Sequence, residues 1–233
     1  MLNLTELVGF GVGRAPAAIT FADSDSDAAS ATTHTYVGMT LGTAAAGRVL
    51  IVFTGGNSGG SRTISSITVH VPNVAGDPTG TALAEAAVAN DTGGGGSKIA
   101  AIWSGIVASG ASGDIKVTYS GGVEDTGISL FAASGIVAAA NATATDTTLS
   151  GNALSGDVTA YTDGLVVGCC WWTDAASTTW TNATEATDID VTGDQIHSAA
   201  SVATTSSATL TVTATANATP SRKALAVASW RPA

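Results

Sequence analysis

Arg48-Val49-Leu50-Ile51-Val52-Phe53-Thr54 is the stretch on which the fold turns. Every position between Arg48 and Thr54 is apolar, and all but Leu50 are β-branched or aromatic. An unbroken run of this length reads as a strand covered on both faces, with Val49, Ile51 and Phe53 on one side and Leu50 and Val52 on the other. The run Gly55-Gly56-Asn57-Ser58-Gly59-Gly60 follows at once and predicts a loop. A weaker echo stands in the second half, where Gly164 to Thr173 (GLVVGCCWWT) is again a continuous apolar strand after a polar, turn-rich segment.

Working outward, strands are expected at Thr33 to Val37, Ile64 to Val71, Ile99 to Ser104, Asp114 to Ser120 and Gly127 to Ala133, with β-signals beginning at Ile19. They continue at Ile189 to Val191, Gln195 to Val202, Ala208 to Thr215 and Ala224 to Trp230. Ala82 to Ala89 has helix-forming residues, but lies between strands and before the glycines at 93–96, so it too reads as a strand. Many short strands at this spacing predict an all-β, antiparallel sandwich or jelly-roll-like single domain.

Composition agrees. Only 11% of the 233 residues are charged, against roughly 25% in an ordinary soluble domain. The apolar fraction is 45%, much of it Ala and Val. A chain of this length can bury about 70% of its unfolded surface, and a β-domain of about 200–250 residues is common. The net charge is −10, with scattered basic residues, which argues against nucleic-acid and anionic-membrane partners. The N-terminus lacks the pattern of a secretory signal, and the longest apolar stretch, Leu165 to Trp172, is far short of a membrane span. A soluble protein made in a cytoplasm is expected.

Residues 1–16 read as an extended arm ahead of a sandwich domain at 17–233. Leu4, Leu7, Val8 and Phe10 would be a liability if exposed, so they are candidates for burial against a partner or the domain's own sheet.

Candidate chemistry is sparse. Asp23, Asp25 and Asp27 have the spacing that opens a calcium loop, but Ala28 and His34 stand where an EF-hand needs Gly and Glu. A solvated acidic loop is the preferred reading over a looser calcium site. Asp188 and Asp190 share a strand face near Asp194, yet no aromatic platform for a sugar adjoins them. His34, His70 and His197 follow no metal-ligand spacing, and nothing resembles a nucleophile elbow. The chain reads as a non-enzyme with no cofactor. Cys169 and Cys170 point to opposite faces of a strand. They read as buried small residues, with an intermolecular disulfide as the sharper alternative. Trp103 and Trp230 read as core anchors. Trp171 and Trp172 also face opposite sides, so one of them, with Trp180, is a candidate for a ligand or subunit contact.

Three passages carry a family resemblance: the arm MLNLTELVGFGVGRAP leading into AITFADSDSD, the strand A-A-G-R-V-L-I-V-F-T, and the ending KALAVASWRP. Together they resemble accessory virion proteins of tailed bacteriophages and gene-transfer particles. The resemblance implies a β-sandwich on the capsid, neck or tail, often oligomeric, attached through its N-terminal arm to other virion proteins. It brings no catalytic residues. Two functions follow from it: a structural decoration, collar or fibre-base protein, or a sandwich displayed on the virion that binds a host-surface glycan or receptor.

Overall fold

The structure, a computed structural model, describes residues 15–72, 80–93 and 96–233. Its elements are all strands. The first half supplies β1 (Ala18–Asp27), β2 (Ala31–Thr40), β3 (Val49–Ser58), β4 (Ile64–His70), β5 (Thr81–Ala82), β6 (Ala84–Asp91), β7 (Ser97–Ile106) and β8 (Ser112–Ser134). The second supplies β9 (Ala142–Asp146), β10 (Ala153–Ala160), β11 (Gly164–Thr173), β12 (Thr178–Thr181), β13 (Thr184–Asp190), β14 (Gln195–Thr204), β15 (Ala208–Ala216) and β16 (Lys223–Trp230).

All pairings are antiparallel, and the two halves repeat one pattern. In the first, the long β8 serves two sheets. Its opening part pairs with β2 and β4; its closing part pairs with β1 and β3. The inner sheet thus runs β1-β8-β3-β7-β6 and the outer one β2-β8-β4-β5. In the second half the inner sheet runs β9-β16-β11-β14-β13 and the outer one β10-β15-β12. Apart from β5, which has no counterpart in the second half, these orders match, with β15 and β16 standing for the two parts of β8. Each half therefore has the strand order of a jelly roll. β8 turns from sheet to sheet without a break, helped by Gly121 and Gly122 and by a register shift near Gly56/Asn57, as strands do when they cross between sheets. In the second half, residues 217–222 make that turn.

The expected sandwich is therefore doubled, and the two copies are stacked on their inner sheets. One core fills the first sandwich, with Leu50, Val52, Ile67, Val117, Tyr119 and Leu130 among its residues. Another fills the second, around Val166, Trp172, Trp180, Val212 and Val227. A third lies between the inner sheets, where Val49, Ile51 and Phe53 meet Val167, Cys169, Trp171 and Ala226. This seam explains the alanine-rich composition. Ala87, Ala89 and Ala100 on one side and Ala199, Ala224 and Ala228 on the other are small enough for two sheets to approach closely. Contacts across it are reciprocal: β7 touches β11 and β16 while β14 touches β3 and β8, and β6 meets β9 while β1 meets β13. That is the arrangement of an isologous dimer, here within one chain.

The continuous runs at β3 and β11 are accordingly buried on both faces. Ala82 to Ala89 is extended rather than helical, as expected, but it is not one strand: it breaks at Leu83 between β5 of the outer sheet and β6 of the inner one. Two expected loops are not loops. β3 continues through Gly55 and Gly56 to Ser58, because both glycines sit where a side chain would strike a neighbour: a Cβ on Gly56 would lie 2.7 Å from Val123 Cγ1. Asp23 to Asp27 lies within β1.

Candidate functional site

The aromatic residues offered for ligand contact are inside. Trp171 and Trp172 are 0% exposed and Trp180 is 9% exposed. Trp171 lies in the seam and donates to Gln195 Oε1 at 3.1 Å. Trp172 and Trp180 fill the second sandwich and donate to Thr178 Oγ1 and Ser198 Oγ, each at 2.9 Å. Trp180 is on β12 rather than a loop. Adjacent strand positions do face opposite ways, but both sides of β11 are covered, so neither ring reaches solvent. Trp103 and Trp230 are buried, as expected of core anchors.

Cys169 and Cys170 follow the same rule. Both are free and fully buried, Cys169 in the seam and Cys170 in the second core. Burial pushes both thiols well above their ordinary range. An intermolecular disulfide is incompatible with this placement, and they serve as small apolar residues.

The acidic candidates are built into strand edges. Asp23 and Asp27 lean from β1 toward β2, where Asp23 Oδ2 accepts from Thr40 N at 2.7 Å and Asp27 Oδ2 lies 2.9 Å from His34 Nδ1. The backbone N–H of Ala29 holds the Asp27 carboxyl below its usual range, with help from His34. Among the described residues, Asp25 accepts only from Ser26 N. Asp188 takes the Thr178 N–H and Asp190 the Gly193 N–H. Among the described residues, no group of three His, Cys, Asp or Glu could hold a metal ion. Leu4, Leu7, Val8 and Phe10 lie outside the described residues. Close after them in sequence, Ala17 is buried beside the second sandwich, and its N–H donates to Asp163 O at 3.0 Å.

Two features were not visible in sequence. The first is a polar cluster at one end of the seam. Arg222 reaches across from the β15–β16 turn to Asp91 Oδ2 at 2.6 Å and to Asp91 O at 2.8 Å. Burial would raise the Asp91 carboxyl, but the Arg222 guanidinium and the Gly93 N–H outweigh it and hold it below its usual range. Beside this pair, Lys98 Nζ donates to Asn57 Oδ1, and Asn57 Nδ2 donates to Asp125 Oδ2 at 3.1 Å. Residues 57, 91, 98, 125 and 222 are scattered along the chain, and only strand register brings them together. No spacing rule could have found them.

The second feature is a cleft of about 470 Å³ at the opposite end of the second sandwich. Asn182, Thr184, Thr204, Thr205 and Ser206 supply its polar groups, and four alanines with Val202 and Leu210 supply the rest. Chemically it is a mixed, more apolar than polar groove without a charged or aromatic group. Neither a protein-family model nor a curated protein matches the chain.

Proposed function

We propose that the protein is a structural component of a phage-like particle, a capsid decoration, collar or fibre-base protein that works through protein–protein contacts. The observation that carries this reading is the back-to-back stacking of two jelly-roll sandwiches on fully buried inner sheets. Such a body has four sheet layers and spends its five tryptophans on internal rigidity. What remains outside is mostly small and sparsely charged, with Phe21, Val37, Ile106 and Leu149 the exposed large apolar residues among those described, a surface suited to broad contact with neighbours rather than to chemistry. The apolar sequence at residues 2–10 adds an attachment element, and the chain enters the described body beside Asp163, at the cleft end of the second sandwich. The particle would be assembled in the host cytoplasm.

A chain lacking residues 2–14 tests this directly, since the deletion spares Ala17 and its bond to Asp163. The full-length protein is expected to co-sediment with particles through a density gradient, and the shortened one to stay at the top with unchanged circular dichroism and melting. Particle attachment that survives the deletion rejects the arm as the anchor. Absence of the full-length protein from particles rejects the reading itself.

The groove at Asn182, Thr184 and Thr204 to Ser206 favours a second reading, a glycan- or receptor-binding sandwich displayed on the particle. Loops at one end of a rigid sandwich commonly carry recognition. A glycan array read with the native protein and with Thr205→Trp, which fills the groove, tests it. Binding lost in the variant supports recognition there, and no binding by either protein removes it.

A further inference from the structure

We propose that Lys98 and Asn57 react with each other: the Lys98 amine displaces the Asn57 carboxamide nitrogen as ammonia, leaving an amide bond that ties β7 to β3. This goes beyond the particle reading and does not depend on it.

The geometry places the reactants together in three ways. Asn57 and Lys98 are direct cross-strand partners in the β3–β7 ladder, so their side chains leave the sheet on the same face. The amine already donates to Oδ1 of the carboxamide, one covalent bond from the Cγ it would attack. On the far side, Asn57 Nδ2, the leaving nitrogen, donates to Asp125 Oδ2 at 3.1 Å. Asp125 comes from a third strand, β8, and gets there by an unusual backbone. It adjoins the register shift between Gly56 and Asn57 and has φ of 46°. A non-glycine residue in that region is held there by its surroundings, and such strain gathers at functional positions.

The surroundings also leave the amine available. Lys98 is 9% exposed, and no carboxylate among the described residues is within salt-bridge distance of it. Its other cross-strand neighbour, Asp91 on β6, is occupied by Arg222. Burial lowers the Lys98 ammonium below its usual range. Arg222 lowers it further, while Asp91, Asp125 and Asp194 act the other way. A neutral amine is the nucleophilic form. Lys223 offers a contrast within the same chain: it is buried, but among the described residues its Nζ donates to the carbonyls of Ser150 and Gly151, which offer no carboxamide to attack.

The step balances without a co-reactant. The Nζ–Cγ bond forms and the Cγ–Nδ2 bond breaks. Attack puts Nζ and Nδ2 on the same carbon, where the Asp125 carboxylate that already holds Nδ2 takes the proton given up by Nζ and delivers it to Nδ2, which departs as ammonia. Nothing is oxidised or reduced. The product locks the end of two inner-sheet strands at the seam.

Denaturing intact-mass spectrometry of the purified full-length chain tests this. The wild-type protein should weigh one ammonia, about 17 Da, less than its sequence, and after proteolysis the peptides holding Asn57 and Lys98 should appear as one branched species. Lys98→Arg should restore the full sequence mass. Asp125→Asn, whose side chain tolerates the same backbone, should leave most of the chain unlinked while folding normally. A wild-type chain at full sequence mass overturns the proposal. So does an ammonia loss that survives Lys98→Arg, since that would be cyclisation of Asn57 onto its own backbone. Undiminished linkage in Asp125→Asn overturns the proton-relay role.

Discussion

Gly55 and Trp171 hold matching places in the two sandwiches and meet each other across the seam. Val49 and Leu165 begin the pairing of β3 with β8 and of β11 with β16, which aligns Gly55 with Trp171. A Cβ on Gly55 would lie 2.4 Å from Trp171 Cε3. One repeat has given up its side chain to make room for the largest side chain of the other, so the seam is internally dimer-like yet chemically asymmetric.

Gly55→Ala should therefore overpack the seam and cost about 1–3 kcal/mol. Trp171→Ala should cost about 3–5 kcal/mol through the cavity it leaves. The double variant should lose less than the sum, because each change relieves the other. It will not recover fully, since the new Cβ also meets Ile99 O at 2.8 Å. Urea midpoints of the four proteins measure all three terms, and strict additivity would deny the contact its importance.

His197 gives the seam a pH dependence. It is fully buried, its Nε2 lies 3.0 Å from Ser129 Oγ of the other sandwich, and burial pushes its pKa down to about 3. Between that value and the unfolded value near 6.5, the unfolded chain binds the extra proton. Stability must then fall as pH drops through this window and level off below it, by up to about 1.4 kcal/mol per pH unit. The low carboxyl of Asp91 slopes the same way, so the His197 share is the difference between wild type and His197→Gln. Unfolding curves from pH 7 to pH 4 should be flatter for the variant; equal slopes would contradict the assignment.

The Arg222–Asp91 pair should behave as a clasp between sandwiches. Removing one partner of a largely buried pair typically costs about 3–5 kcal/mol. The 17% exposure of the Arg222 side chain puts Arg222→Gln near the lower end. Combined with Asp91→Asn it should lose little more, and amide exchange should quicken first in β6 and β16. A double variant as costly as the two singles combined would mean the residues act separately.

Cys169 and Cys170 should be silent until the chain opens. Thiol titration of the native protein should label neither, with labelling appearing at the global unfolding transition. Reducing and non-reducing gels should match. Rapid labelling in native buffer would contradict the burial of β11.

Much of the strand content was legible because alternation and unbroken apolar runs report directly on how many faces of a strand are covered. Arg48 to Thr54 and Gly164 to Thr173 are the clearest instances, and their resemblance to each other was the visible trace of the duplication. The glycines misled. Gly55 and Gly56 look like loop residues, yet they extend β3 because Trp171 and Val123 occupy the space beside them. β9, β10 and β12 were missed because Ala, Thr and Ser carry little periodic signal.

The chain's own pattern was enough to determine an all-β, antiparallel sandwich with central strands buried on both sides, for hydrophobic periodicity is a local property. It could not say what covers the second face. Trp171 and Trp172 necessarily point opposite ways, but whether the outward one meets solvent, sugar or protein depends on residues far away in sequence. Only the tertiary structure decided that the cover is a second copy of the same sandwich. It alone set Lys98, Asn57 and Asp125 side by side, because cross-strand register and a single β-bulge are products of packing that no stretch of sequence contains.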